Sequence, residues 1–195
     1  MSKGRLEAFS DAVIAIIITI MVLELQIPHR SQLSALRPLV PVFLTYALSF
    51  VNLGIYWNNH HHLFQATERI NGGILWANLN LLFWLSLFPF TTGWLGEHRF
   101  PREPAVVYGI VLLLAAIAYY ILQSVIVAHE GPDSALARAL GRDWKGKASP
   151  VLYCIGIGLG FFASPWAAMA VYTLVALLWI IPDRRLERSP EAAHD

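Results

Sequence analysis

Six apolar stretches, each near the length that crosses a bilayer, follow one another along this chain at 12–27, 39–57, 73–95, 105–128, 148–163 and 166–181. A helix needs roughly 20 mainly apolar residues to traverse a hydrocarbon core of about 30 Å. In that medium every backbone N–H and C=O must find its partner inside the spanning structure, which a helix achieves within one segment. Composition agrees: 56% of the residues are hydrophobic and only 14% charged, against about 25% charged in soluble domains. The expected fold is an all-α membrane protein with six transmembrane helices. It forms a single domain over 1–195, with helices near 10–27, 39–63, 73–96, 105–128, 148–163 and 166–182. Only Ser164 and Pro165 divide the last two runs. One helix over 148–181 would be roughly 51 Å long at about 1.5 Å per residue, too long for the core, so a tight hairpin is expected there.

Charge sets the expected orientation. With the N-terminus inside, the inner segments hold Lys3, Arg5, Arg69, Arg138, Arg142, Lys145, Lys147, Arg184, Arg185 and Arg188, and the outer loops hold Arg30, Arg37, Arg99 and Arg102. This excess of inner positive charge puts both termini in the cytoplasm. The first run is followed by Glu24, Gln26 and Pro28 with no small-residue cleavage site, so it reads as a retained helix and not a signal peptide. The single cysteine, Cys154, cannot form an intramolecular disulfide and reads as a small packing residue of the fifth helix. No basic patch interleaved with aromatics points to nucleic acid.

The polar groups at the membrane ends are more specific. Arg5, Ser10 and Asp11 directly precede the first apolar run, and the second helix ends in Tyr56-Trp57-Asn58-Asn59-His60-His61-His62. The topology brings these two sets to the same depth. In hydrocarbon an unpartnered polar group costs several kcal/mol, so they either stay wet or bond to one another. On one reading Ser10 caps the helix, Asp11 favours its N-terminus and Trp57 sits in an aromatic belt. On the other, carboxylate, imidazole and guanidinium groups form an inter-helix network, with Trp57, His60 and His61 sharing a face at i, i+3 and i+4. Three adjacent histidines also raise the question of a metal. Neighbours on a helix diverge by about 100° and do not converge on one ion, so no metal site is expected.

Along the first helix Ile16, Ile20 and Leu23 form an apolar stripe, with Ala12, Thr19 and Glu24 nearby. Within one bundle such a stripe faces core or lipid. Where first helices of several subunits meet at an axis, it would instead form apolar rings that narrow a pore and gate by dewetting. Elsewhere, Pro89 would kink the third helix, Gly156-x-x-x-Gly160 allows close helix contact, and Asn78 and Asn80 are intramembrane amides that need partners.

Arg5-x-x-x-Phe9-Ser10-Asp11, running into Ala12-Val-Ile-Ala-Ile16-Ile-Ile-Thr19-Ile20-Met-Val-Leu23-Glu24 and closed by Pro28, resembles the signature first helix of the potassium channel family typified by the lysosomal transmembrane protein 175. The similarity continues in Tyr56-Trp57-x-x-His60-His61-x-x-Phe64 and from Asn80 through Pro89-Phe90-x-Thr92. The later helices match only in number and hydropathy. The resemblance implies a prokaryotic-type homotetramer in the cell's inner membrane, with the first helix lining a central pore. It implies Ile16 as the main constriction and selectivity site, Ile20 and Leu23 as further apolar rings, and Thr19 and Glu24 as pore-adjacent polar groups. It further implies a structural polar network of Arg5, Phe9, Ser10, Asp11, Trp57, His60 and His61. Potassium is then the permeant ion, no cofactor is needed, and the partners are other copies of the chain, the lipid bilayer and monovalent cations. No Thr-Val-Gly-Tyr-Gly filter occurs, so potassium-over-sodium selectivity should be modest.

The alternative is a secondary cation transporter using intramembrane polar residues. That class usually shows interrupted helices or an internal repeat, and neither is visible in the sequence. No catalytic constellation is evident, so the chain is not expected to be an enzyme.

Overall fold

The apolar runs do form helices, whose ends do not all fall where hydropathy places them. A computed structural model describes residues 2–28, 31–98, 100–131, 134, 137 and 144–180. In chain order the elements are α1 (Lys3–Leu23), a 3-10 turn (Leu33–Leu39), α2 (Val40–Gln65), α3 (Gly72–Ser86), α4 (Phe88–Glu97), α5 (Arg102–Glu130), α6 (Trp144–Phe162) and α7 (Pro165–Ile180). No strand occurs among the described residues. The protein is an all-helical integral membrane protein. Four helical stretches, Lys3–Leu23, Leu33–Gln65, Gly72–Glu97 and Arg102–Glu130, are long and apolar enough to cross a membrane. α6 and α7, at 19 and 16 residues, are the shorter pair, and only Ala163 and Ser164 join them.

Several boundaries differ from the sequence reading. α1 begins at Lys3 and not near residue 10, so Ser10 lies inside the helix and caps nothing. Its hydroxyl instead donates to the Leu6 carbonyl at 2.9 Å. At its other end α1 stops at Leu23. The third span is broken at Leu87, where α3 ends and α4 starts. Pro89 stands at the beginning of α4, where its missing N–H leaves no helical bond unmade. On either side of the break Ser86 donates to Phe83 O at 2.7 Å and Thr91 donates to Leu87 O at 3.2 Å.

α1 packs chiefly on α2, α3 and α4, while α5 forms the spine for α3, α6 and α7. Backbones approach closely where glycine permits it. A Cβ on Gly96 would come within 2.7 Å of Val42 Cα, which fixes the α2–α4 contact. The Tyr172 ring of α7 fills a notch between Gly109 of α5 and Gly156 of α6, and a Cβ at either position would collide with it. Its hydroxyl donates to the Ala105 carbonyl at 3.3 Å. Cys154 is exposed on α6, so it is not the interior packing residue expected from sequence. Of the arginines that set the expected orientation, Arg30, Arg99, Arg138, Arg142, Arg184, Arg185 and Arg188 lie outside the described residues.

Candidate functional site

Helical periodicity divides α1 into two flanks. Leu6, Ser10, Ile14, Ile17 and Met21 are buried against the neighbouring helices. Arg5, Phe9, Ala12, Ile16, Ile20 and Leu23 recur at three- and four-residue steps on the opposite flank, and all are exposed. Ile16 is 57% and Leu23 77% accessible in the single subunit. Thr19 lies beside this stripe and donates back to Ala15 O at 2.8 Å.

The polar groups at the start of α1 divide in the same way. Ser10 faces α3, where Asn78 Nδ2 donates to its hydroxyl at 2.9 Å. The Asn78 carbonyl oxygen stands 2.8 Å from His60 Nε2 of α2. An amide oxygen only accepts, so this arrangement places the imidazole proton on Nε2. His60 and Asn78 are 1% and 0% exposed, so Ser10, Asn78 and His60 form a buried chain across three helices. One residue on, about 100° around the helix, Asp11 is exposed on a side of α1 away from Ile16. There its carboxylate accepts from Trp57 Nε1 at 3.0 Å. The Trp57 ring stacks on His61 with centroids 6.2 Å apart, and Gln65 Nε2 donates to His61 Nε2 at 2.8 Å.

The expected single network is therefore two separate sets. His60 does not share a partner with Trp57 and His61, because it turns inward to α3. Arg5 and Phe9 belong to neither set. They lie on the exposed stripe, and among the described residues Arg5 makes no hydrogen bond to the others. Lys3 provides the basic contact instead, donating to the carbonyls of Gln65 at 3.1 Å and Thr67 at 2.9 Å, where a cation also suits the C-terminal end of α2. Asn78 was visible in the sequence as an amide needing a partner, but nothing in its spacing named Ser10 and His60.

At the far end of α1, Glu24 follows the last helical residue, and its carboxylate lies over Gly93 of α4. With Glu97 it lines a cavity of about 430 Å³ bounded also by Met21, Tyr46, Thr92 and Trp94. Partial burial, reinforced by the nearby Glu97 carboxylate, raises the Glu24 pKa above 4.5. Beneath this cavity Thr92 meets Ser49 at 2.7 Å, and Ser49 meets the Tyr108 hydroxyl at 3.0 Å. Thr92 also donates to Met21 Sδ at 3.9 Å. No spacing along the chain signals this hydroxyl trio. Among the described residues no cluster of three His, Cys, Asp or Glu groups is arranged to hold a metal.

Residues 5–89 match the family described as endosomal/lysosomal potassium channel TMEM175. A protein from Chryseobacterium named as a potassium channel is 54% identical over 189 residues, which cover 97% of this chain and 98% of that one. The chain belongs to the TMEM175 family. Another named potassium channel, from Chamaesiphon minutus, is 31% identical over 91% of the chain. The crystal structure of a lysosomal potassium-selective channel TMEM175 homolog from that organism superposes with a TM-score of 0.80 at 30% identity, covering 91% of this chain and 96% of that one. The human relative, named an endosomal/lysosomal proton channel, is 27% identical over 146 residues, 67% of this chain but 29% of its own length. The TMEM175 family and its structural neighbours are ion channels, not enzymes. The matched segment takes in α1, α2 and α3 and ends at Pro89, just past the break. It includes both polar sets at the start of α1.

Proposed function

We propose that the protein is a potassium-permeable cation channel of the prokaryotic inner membrane, in which four copies bring their α1 helices together around a central pore. The observation behind this reading is the exposed α1 flank, where Phe9, Ile16, Ile20 and Leu23 lie unpacked. Apolar exposure alone suits lipid as well as a pore. The likeness to named potassium channels favours a pore and supports potassium as the permeant ion.

On this reading Ile16 forms the main apolar constriction, Ile20 and Leu23 form the next rings, and Thr19 and Glu24 lie beside the path. A partly dehydrated ion gains little from an apolar ring, so discrimination between potassium and sodium is modest. Ser10, Asp11, Trp57, His60 and His61 hold the inner half of the subunit together, and both termini face the cytoplasm.

Single-channel recording in planar bilayers with asymmetric potassium and sodium tests this. Ile16→Asn supplies amide dipoles at similar bulk, so conductance should rise and the selectivity ratio should fall. A cysteine at Ile16 should be blocked by thiol-reactive metal ions, and one at the buried Ile17 should not. Unchanged currents in Ile16→Asn with no block at position 16 would refute the assignment of this flank to the pore.

A further inference from the structure

Behind the α1 contacts, between α2, α5 and the α6–α7 hairpin, lies a cavity of about 40 Å³. Its wall includes Asn52 and Tyr56 of α2, Gln123 of α5, Ser149 and Tyr153 of α6, and Trp179 of α7. Part of this polar surface is already bonded within the protein. Trp179 Nε1 donates to Ser149 at 2.8 Å, Ser149 donates to Lys145 O at 2.8 Å, and Asn52 donates to Leu48 O at 3.0 Å. Tyr56, Gln123 and Tyr153 are not. They are 9%, 7% and 3% exposed, and among the described residues their side chains make no hydrogen bond.

Such groups are expensive to leave unbonded within a membrane bundle. Among the described residues, however, every polar side-chain atom sealed from solvent has a partner. The free groups of these three side chains therefore touch space that a water molecule reaches, and the cavity is the space they line. Its size and charge restrict the occupant. An apolar cavity of about 150 Å³ is needed for benzene, so an aromatic ligand does not fit. No carboxylate lines the wall. A cation is disfavoured. At about 10–15 Å³ per water the space holds roughly three, the same number as the unbonded side chains.

We infer that each subunit binds a cluster of about three water molecules in this cavity, hydrogen-bonded to Tyr56, Gln123 and Tyr153. The water links α6 to α2 and α5, so the hairpin is held by a wet polar joint at one end and by the dry Tyr172 notch at the other.

Radiolytic hydroxyl labelling of the full-length protein in lipid nanodiscs tests the inference, because radicals formed from bound water modify the side chains that touch it. Tyr108 and Tyr172 are buried and bonded to protein groups, and they serve as dry references. Tyr56 and Tyr153 should label several-fold faster than these two. Equal labelling of all four overturns the inference. Gln123→Met gives a second readout. Loss of a water-bonded amide should lower the melting temperature by about 2–4 °C, whereas removal of an unbonded amide from a dry cavity would raise it. A rise or no change overturns the inference, and if the variant does not fold, the labelling comparison decides.

Discussion

Replacing Asn78 with leucine tests the buried chain most sharply, because the change keeps side-chain bulk and removes only hydrogen bonds. Asn78 donates to Ser10 and accepts from His60. Ser10 keeps its bond to Leu6 O, so losing that contact should cost about 0.6 kcal/mol, the average for a hydrogen bond between membrane helices. His60 is 1% exposed, and its Nε2–H would be left in the interior without an acceptor, at about 1–3 kcal/mol. The sum is roughly 2–4 kcal/mol, which at about 2–4 °C per kcal/mol for a chain of this size lowers the melting temperature by roughly 4–16 °C. Thermal scanning of purified protein with size-exclusion readout measures it. Adding His60→Phe removes the orphaned donor, so the double variant should recover part of the loss. An Asn78→Leu protein that melts with wild type, or a double variant with additive losses, would refute the view that these residues act as one chain.

The Asp11–Trp57 pair is exposed and should matter far less: Trp57→Phe and Asp11→Asn in a double-mutant cycle should show a coupling of at most about 1 kcal/mol by thermal scanning. Glu24 has a folded pKa raised above 4.5, so it binds protons more readily folded than unfolded. Its destabilising contribution is present at neutral pH and is relieved as pH falls through the folded value. Glu97→Gln should move the Glu24 titration back toward 4.5 and flatten this part of the stability profile, as followed by thermal scans from pH 7 downward. Gly156→Ala should lower stability and yield because its Cβ meets the Tyr172 ring. Gly158→Ala, which meets nothing within 4 Å, should be neutral or stabilising by up to about 1 kcal/mol through helix propensity.

The helices were legible because apolar runs of bilayer length have few other ways to fold. Their ends were not, and α1 shows why. Hydropathy starts the helix near residue 10 because Arg5, Glu7, Ser10 and Asp11 are polar, yet the backbone is helical from Lys3, with Ser10 and Asp11 bonded to different neighbours. Side-chain period identified the Ile16–Ile20–Leu23 stripe, because it is a property of one helix. The partners of Asn78, the inward turn of His60 and the Ser49–Thr92–Tyr108 trio depend on how separate helices rotate against each other, which spacing along the chain does not record. Pro89 signalled a break in the third span, and local backbone bonding put it at Leu87.

That break has a mechanical consequence for α1. The helix is tied at Ser10 to Asn78 of α3 and at Met21 to Thr92 of α4, two supports roughly 16 Å apart along its axis. The two supports therefore stand on either side of the one-residue break at Leu87. A piston stroke of α1 would shear both ties together and drag Ser10 out of a dry pocket. In the proposed pore, a change in bore along the exposed flank would come more cheaply from leaning α1 than from sliding it.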